Sequence, residues 1–546
     1  MKSLTDVDTA ILDKVPAHSP ADHLLHRKIS WTGAFWVASG VPALVLFSIG
    51  AIAATVGQPA WVVWIVSILM GFIQAFTYAE IAGLFPNKSG GASVYGAIAW
   101  VRYSKFIAPV SVWCNWFAWS PVLSIGSGLA AGYMLTSLFP ADAVINTWQL
   151  TVLDIGFVGK GLVLRINATF VIGAMILLGC FAIQHRGIAG FAKLQTVLGL
   201  AALFPLTLIG IVPLITGDSP SAHFLPLLPL AHDSAGAVIF GTWNMAGWTL
   251  MAGGMFIAAW STYGFETAVC YTSEFRNPRK DVFKAIFYSG LLCLVAFTIV
   301  PLAFQGSLGL AGMLDKSIYD GSGVAKAMAH MIGGGVLVQN LIIIMLILAL
   351  VLSIMTSMGG SSRTLYQASY DGWLPKYLGR VNQHGAPTNA MWTDLGFNLV
   401  LLMMSDYVMV LARSNVGYII FNFLNRQSGW IHRLDRGTRE RPYKAKNFLI
   451  GAGAVLGFVN LAFMGMGADI WGAGTLRNGL IFAALIVPVF LYRHYVQDKG
   501  RFPASMAEDM ELNGAKLAKK AGLLPYVALA AGVAVVWYTH SIAVLP

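Results

Sequence analysis

The sequence predicts an all-α protein that crosses a membrane many times. Of its 546 residues, 57% are hydrophobic and only 11% are charged, and the mean hydropathy is +0.68. Soluble domains carry about a quarter charged residues. The apolar residues form many runs of roughly 20, the length of a helical span, whereas a membrane β-barrel would show about 10-residue segments of alternating polarity. The fold class is therefore a polytopic helical membrane protein.

Thirteen apolar stretches are predicted to be spans. Each is expected to be a helix, because lipid offers no other partners to the backbone polar groups. The stretches are residues 33–56, 61–84, 106–138, 165–184, 188–216, 246–272, 283–305, 336–368, 388–405, 407–424, 447–467, 477–496 and 522–543. The predicted divisions are a cytoplasmic tail (1–30), a core of ten helices (31–425), a basic cytoplasmic loop (426–446), two further helices (447–496), a cytoplasmic polar linker helix (497–521) and a thirteenth span (522–546).

The distribution of Lys and Arg predicts the orientation. With the N-terminus in the cytoplasm, the inside loops carry dense basic clusters at 276–284 and 426–446. The outside loops then carry only isolated basic residues. Cytoplasmic loops are enriched in Lys and Arg, so the N-terminus is predicted to lie inside and, with an odd number of spans, the C-terminus outside. The net charge of +11 is assigned to these loops, and no nucleic-acid partner is expected.

The four cysteines do not indicate a cofactor or a metal site. They lie singly within or at the edge of apolar stretches, at Cys114, Cys180, Cys270 and Cys293. None has the spacing of a metal-ligand pair, so neither a disulfide nor a zinc site is predicted.

Two predicted spans contain helix-breaking residues at comparable depth. In the first span, Pro42 removes a backbone donor two residues after Gly40. Five spans later, Ser261, Thr262 and Gly264 interrupt an apolar run. Either interruption alone is explained by a packing kink, but a corresponding pair is typical of transporters built from inverted repeats. Segments 40–44 and 261–265 are therefore predicted to be non-helical and to face each other across a cavity.

Such breaks have a specific chemistry. Amides freed at the N-terminus of a half-helix attract an anionic group, and freed carbonyls accept a cation or an ammonium group. Two facing breaks therefore suit a zwitterion, and an amino acid is the natural match.

Four segments of the chain resemble hallmark segments of the amino acid–polyamine–organocation permease superfamily. They are "TYAEIAGLFPNKSGGASVYGA" (77–97), "STYGFETAVCYTSEFRNPRKDVFKAI" (261–286), "SSRTLYQASYDGWLPKYLGRVNQHGAPTNA" (361–390) and "RGTRERPYKA" (436–445). Their order and spacing match, and the resemblance covers roughly residues 30–496. It implies a five-plus-five inverted-repeat, LeuT-like core with discontinuous helices 1 and 6 and a substrate site between them.

The resemblance also implies a function. The chain is expected to be a secondary transporter of amino acids in the cytoplasmic membrane, acting as a proton-coupled symporter or an exchanger, as a monomer or a homodimer. The alternatives are a transporter of polyamines or monoamines and a transporter-like nutrient sensor. An enzyme is not expected, since the sequence contains neither His-Glu-x-x-His nor Gly-x-Ser-x-Gly.

The sequence departs from the family pattern at two places. Many relatives carry a Gly-rich turn in the first helix, where this chain has Ala43, Leu44 and Val45. Proton-coupled relatives place a lysine in the fifth helix, and alignment puts Ala202 at about that position. Coupling through such a lysine is therefore not expected.

The candidate substrate-binding residues come from the two breaks and from the third span. Trp119 is a candidate wall of the pocket through cation–π contact, although an aromatic belt also explains tryptophans in this span. The full set is Gly40, Val41, Pro42, Ala43, Leu44, Trp119, Leu123, Trp260, Ser261, Tyr263, Gly264 and Phe265.

Four further residues are candidates for coupling or gating. Glu266 is a carboxylate at membrane depth, with proton transfer, ammonium binding and bracing of the break as alternative roles. The hydroxyls of Ser353, Thr356 and Ser357 are candidate sodium ligands, with hydrogen bonding to backbone as the alternative. The coupling ion is thus H⁺ or, as second choice, Na⁺. Asp394, near a span end, is expected to reach headgroups or water.

Overall fold

A computed structural model describes residues 25–545 except 141, 157–161, 218, 235, 320, 405–406 and 510–518. All thirteen predicted apolar stretches contain helix in this described part of the chain, which confirms the all-α membrane fold class. Residues 1–24 of the predicted tail lie outside the described residues.

In the first half of the chain, the described residues form nine α-helices and the first two strands. The first predicted span is divided by a 3₁₀ helix at Val41–Phe47. The α-helices are α1 (Trp31–Val37), α2 (Ile49–Val56), α3 (Ala60–Gly83), α4 (Ala92–Trp100), α5 (Ile107–Trp119), α6 (Val122–Leu138), α7 (Val144–Thr147), α8 (Ala168–Gln184) and α9 (Ile188–Thr216). Strands β1 (Gln149–Asp154) and β2 (Val163–Asn167) form an antiparallel hairpin between α7 and α8.

The second half begins with a small hairpin and continues as helices. Strands β3 (Leu230–His232) and β4 (Val238–Phe240) pair antiparallel before α10. The α-helices are α10 (Met245–Thr262), α11 (Pro278–Met313), α12 (Lys316–Tyr319), α13 (Val324–Met331), α14 (Val336–Tyr370), α15 (Thr388–Leu402), α16 (Tyr407–Asp435), α17 (Asn447–Gly467), α18 (Thr475–Ala484), α19 (Ile486–Leu491), α20 (Ala504–Asp509) and α21 (Leu524–Ile542). Short 3₁₀ helices lie at Ser221–His223, Gly264–Glu274, Lys376–Gly379 and Ala468–Trp471, and a π-helical turn at Tyr492–Gln497 follows α19.

Eight helices among the described residues are long and apolar enough to cross a membrane. The pair Trp31–Phe47 and Ile49–Val56, bent by 41°, makes a ninth. The last helix, α21, is one of the eight, and it packs closely on α17 because Gly465 allows the approach of Thr539 and Val536. The count of thirteen spans stays a prediction.

Two predicted boundaries differ from the structure. Helix α16 continues through Arg426 and Arg433 to Asp435, so the basic loop comprises residues 436–446 and is shorter than the predicted 426–446. The charged residues that marked its start face inward: Arg426 is buried and donates to Gln74 Oε1 at 2.6 and 3.0 Å. Of the predicted linker helix, the described residues show only α20.

Buried ion pairs close the end of the bundle that carries the basic loops. Arg363 on α14 pairs with Glu274, the last residue of the 3₁₀ helix after α10. Its Nη2 lies 3.1 Å from Glu274 Oε2, and its guanidinium lies 4.6 Å from the ring centroid of Tyr271. Lys88 and Asp371 form a second buried pair nearby. These contacts tie the second half of the sixth predicted span to α14.

We expect Glu274→Gln to lower the stability of the folded protein, because it leaves the Arg363 guanidinium buried without its counter-charge. Breaking a buried ion pair from one side costs about 3–5 kcal/mol. Unfolding in detergent would measure the effect. The double variant Glu274→Gln/Arg363→Gln should be less destabilised than Glu274→Gln alone.

The matched control is the exposed pair of Arg279 and Glu440, whose closest N–O distance is 2.9 Å. Solvent screens such pairs, so Glu440→Gln should leave the unfolding midpoint almost unchanged. Equal losses in Glu274→Gln and Glu440→Gln would contradict the structural role assigned to the buried pair.

Candidate functional site

The break in the first helix starts at the carbonyl of Val37. The Val41 N–H bonds to Ala38 O at 3.2 Å and so does not reach Val37 O, its partner in a regular α-helix. Pro42 follows with no N–H to donate. The chain then forms the 3₁₀ helix up to Phe47 and bends at Ser48, whose φ is −143° and ψ is 5°.

Side chains of two other helices bond the backbone groups released by this break. Thr356 Oγ1 on α14 donates to Val37 O at 2.7 Å and accepts from the Gly40 N–H at 3.2 Å. Ser353 Oγ donates to Gly40 O at 2.8 Å. From α9, Gln195 Nε2 lies 3.4 Å from Val37 O and 3.1 Å from Thr356 Oγ1. The break is thus fixed to α14 and α9 by hydrogen bonds that replace the lost helical ones.

Two of these contacts bear on the coupling candidates. Ser353 and Thr356 bond directly to the first helix, while Ser357 is buried one position further along α14. The α9 side chain at this junction is Gln195, and Ala202, two helical turns further along, is also buried. Gln195 and Ala202 are seven residues apart and so lie on the same face of α9. The alignment of Ala202 with the lysine of proton-coupled relatives stays a prediction.

The second break follows α10. The α-helix ends at Thr262, and the chain continues after Tyr263 as the 3₁₀ helix Gly264–Glu274, nearly all of it buried. The hydroxyl of Ser261 faces the first break and lies 3.4 Å from Leu44 O and 3.4 Å from Ser48 Oγ.

The predicted conformation of these segments was wrong in one respect. Residues 41–44 are 3₁₀ helix, Ser261 and Thr262 are still α-helical, and Gly264 and Phe265 are again 3₁₀ helix. The physical reason is that 3₁₀ bonding keeps most backbone N–H groups paired, which lipid requires. The tightened helices, rather than unwound loops, form the two breaks.

The two breaks meet at Gly264 without an open cavity between them at this point. A Cβ atom placed on Gly264 would lie 2.3 Å from Trp119 Cη2 and 3.0 Å from Val41 Cγ1. Gly264 is therefore required by the close approach of the Trp119 ring. The predicted cavity is closed here by Trp119 and Val41.

Aromatic side chains form the wall on the α5 side. Trp119, the last residue of α5, stacks near Trp260 at a centroid distance of 6.5 Å and meets Tyr418 edge-on at 5.7 Å. Trp260 Nε1 donates to Ala118 O at 3.0 Å, and its ring lies 5.9 Å from that of Phe47. These rings can hold an organic cation by cation–π contact.

Glu266 is the ionisable group of this cluster. Its carboxylate is buried, and Oε1 accepts from Trp119 Nε1 at 3.1 Å. Its second oxygen, Oε2, makes no hydrogen bond of regular geometry among the described residues, and the Tyr418 hydroxyl, which likewise makes none, faces the same carboxylate. A buried acceptor without a donor is costly, so the site can take a ligand that carries an N–H group.

The structure does not bring every candidate residue to this cluster. Tyr263 points toward α3 and α17, where its hydroxyl donates to Asn460 Oδ1 at 3.1 Å and its ring packs against Gly71. Phe265 packs against Phe72 and Gly290. The remaining candidates are buried residues on the breaks or on the neighbouring helix: Pro42, Ala43 and Leu123.

Sequence reasoning placed Asp394 at the membrane surface, and this was wrong. The side chain is buried: Oδ1 accepts from Trp116 Nε1 at 2.8 Å and from Ser120 Oγ at 2.5 Å, and Oδ2 accepts from Ser361 Oγ at 2.5 Å. The carboxylate therefore joins α5, α14 and α15 directly behind Trp119. The sequence held one indication of this contact. Trp116 and Ser120 are four residues apart and so place two hydrogen-bond donors on one helix face.

Comparison with known proteins gives a consistent result. The sequence model of a family described as amino acid permease matches residues 29–491. The branched-chain amino acid permease BcaP of Lactococcus lactis is 24% identical to this chain, with 84% of this chain and 93% of the relative covered. The arginine/ornithine antiporter ArcD1 of the same species is 24% identical over 68% of this chain and 67% of the relative. The polyamine transporter PUT1 of Oryza sativa is 23% identical over 77% of this chain and 69% of the relative.

The family match covers most of the chain, and it coincides with an all-α membrane fold whose first and sixth predicted spans are broken and touch each other. The chain belongs to the amino acid permease family.

Proposed function

We propose that this protein is a secondary transporter of amino acids and related amines that works by alternating access, with the substrate's ammonium group bound at Glu266. The observation that carries the proposal is the buried Glu266 Oε2, which makes no hydrogen bond of regular geometry among the described residues and lies where the two broken helices meet. The names of the relatives support this substrate range, since they include amino acid permeases, antiporters and a polyamine transporter.

The surroundings of Glu266 support an ammonium ligand. Its Oε1 is already fixed by Trp119, which holds the carboxylate in place, while Oε2 can accept from an incoming N–H. The rings of Trp119 and Trp260 add the π faces that attract cations. For the substrate to enter, Trp119 and Val41 have to move away from Gly264, and this motion would accompany the rocking of the bundle.

A second candidate, a transporter of amines that lack a carboxylate, is favoured by a specific observation. A free α-carboxylate needs donors at the first break, but the Gly40 N–H bonds to Thr356, the Val41 N–H bonds to Ala38 O, and Pro42 has no N–H. Residues 40–42 of the break as arranged here thus offer no free N–H group to a carboxylate. Comparing an amino acid with its decarboxylated amine separates the two candidates.

The coupling ion follows from the same contacts. We assign coupling to a proton carried by Glu266, because the hydroxyls proposed as sodium ligands are engaged as donors to the first helix: Thr356 to Val37 O and Ser353 to Gly40 O. A buried carboxylate that gains a cationic neighbour releases its proton more easily. Substrate binding beside Glu266 would therefore expel a proton.

We expect the end of the bundle that carries residues 436–446 to face the cytoplasm and the C-terminus to lie outside. The basic composition of this loop supports the orientation. The four native cysteines are buried, so a single introduced cysteine can report on accessibility. A membrane-impermeant thiol reagent applied to intact cells should label Ala543→Cys and should not label Glu440→Cys. The reverse pattern would overturn the orientation.

Counterflow in proteoliposomes tests the transport function. Vesicles loaded with unlabelled ornithine or putrescine should accumulate the labelled compound transiently and saturably, as a carrier does and a channel does not. Counterflow with ornithine supports the amino acid candidate, and counterflow with putrescine alone supports the amine candidate. Leucine and isoamylamine provide the same comparison for an apolar side chain. No counterflow with any of these compounds would contradict the substrate range.

In the same assay Gly264→Ala should reduce uptake by at least about tenfold, because the added Cβ would overlap the Trp119 ring. The matched control is Gly179→Ala on α8, where a Cβ meets nothing within 4 Å. Both variants should elute as folded protein from a sizing column. Wild-type uptake by a folded Gly264→Ala variant would show that the substrate does not bind beside Gly264.

Replacing Glu266 tests the coupling. In the parent, a pH gradient with the acidic side inside should stimulate uptake, because a proton leaves Glu266 as the substrate binds there, whereas Glu266→Gln, which cannot release a proton, should take up substrate at a rate independent of the gradient. Glu440→Gln, which changes an exposed carboxylate, should behave like the parent. Identical stimulation of the parent and Glu266→Gln would show that Glu266 does not carry the proton.

A further inference from the structure

A groove of about 740 Å³ lies away from the broken helices, at the end of the bundle that carries the basic loops. Its walls come from the end of α14, from the 3₁₀ helix Lys376–Gly379 and from the chain that follows α19. Two helices of membrane-spanning length end here, Val336–Tyr370 and Thr475–Gln497. The groove therefore lies at the depth where the hydrocarbon region gives way to the lipid headgroups.

The groove is strongly basic. The described part of its lining contains five cationic side chains and one acidic side chain: Lys376, Arg380, Arg493, Lys499 and Arg501, with Asp498. The Asp498 carboxylate forms ion pairs with Lys376 at 2.9 Å and with Arg493 at 2.6 Å. Among the described residues, the exposed side chains of Arg380, Lys499 and Arg501 have no acidic partner within ion-pair distance.

The walls are held together by hydrogen bonds, so the site is formed before any ligand binds. Gln497 Oε1 accepts from the Lys376 backbone N–H at 2.9 Å, and Arg493 Nη1 donates to Leu374 O at 2.8 Å. The turn that presents the cations is also fixed: the Gly500 N–H bonds to His494 O at 2.8 Å. Lys499 has a φ of 52°, an uncommon conformation for a residue other than glycine. This turn places Lys499 and Arg501 at the mouth of the groove.

Exposed tyrosines surround this region. Tyr370 lines the groove, and Tyr377, Tyr492 and Tyr495 lie on the elements that form it; each is at least 43% exposed. Lys105 adds a further cation beside Tyr495, with Nζ 4.7 Å from the ring centroid. Tyrosine is enriched at membrane–water interfaces, and basic pockets at this level bind anionic headgroups.

We infer that this groove is a binding site for a phosphate-bearing anion, with the headgroup of an anionic phospholipid as its ligand. The phosphate lies among Arg380, Lys499 and Arg501, and the acyl chains extend along the apolar flank of α14 and α19. Inorganic phosphate has the same charge chemistry but no acyl chains. The inference does not depend on the proposed transport function.

Titration of the delipidated full-length protein with phosphatidylglycerol, followed by native mass spectrometry, tests the site. The triple variant Arg380→Gln/Lys499→Gln/Arg501→Gln should bind this lipid about a hundredfold more weakly than the parent, since each basic residue contributes roughly a fivefold effect. The single variant Arg380→Gln should show about a fivefold loss. It keeps the test decisive if the triple variant does not fold.

The matched control removes three exposed basic residues from the same end of the bundle: Arg276→Gln/Lys444→Gln/Lys446→Gln. It should bind phosphatidylglycerol like the parent. A parallel titration with inorganic phosphate distinguishes a lipid headgroup from free phosphate as the ligand. If phosphate binds the parent, displaces the lipid and fails to bind the groove variant, the groove is an anion site whose ligand is soluble phosphate. Equal lipid binding by the groove variants and the control variant would overturn the proposal.

Discussion

The carbonyl of Val37 imposes the constraint on which the rest of the site depends. The Val41 N–H bonds to Ala38 O and the Gly40 N–H bonds to Thr356, so this oxygen has no backbone donor, and an unpaired carbonyl inside a membrane is costly. Thr356 and Gln195 supply the donors, so the break is fixed against α14 and α9. With the first helix held there, Val41 reaches Gly264 on the other break, and Trp119 closes the space between them.

Two buried carboxylates near α5 show how surroundings assign different roles to the same chemical group. Asp394 accepts hydrogen bonds on both oxygens and joins three helices, so it is a structural brace. Glu266 accepts from Trp119 on one oxygen only. The brace holds α5 in place, and α5 presents Trp119 to Glu266. The structural carboxylate thereby positions the residue to which we assign substrate binding.

Helix α14 links the two ends of this arrangement. Ser353 and Thr356 hold the first break, Arg363 pairs with Glu274 beyond the second break, and the helix ends at Tyr370 beside the basic groove. A single helix thus contacts the proposed substrate site, the closed end of the bundle and the proposed lipid site. Motion of the bundle during transport would have to break or carry the contacts of α14 at all three levels.

The sequence by itself determined the fold class, the helical stretches and the positions of both breaks, because these follow from local properties: apolar length, the missing N–H of proline and the composition around Gly264. It also predicted Glu266 and Trp119 as candidate site residues, and the structure places the two side chains in contact. Only the tertiary structure decided which partners satisfy the breaks. Gln195, Thr356 and Asp394 meet groups more than thirty residues away in the chain, and no local pattern specifies such pairings. Whether a buried polar group braces the fold or awaits a ligand depends on those distant partners.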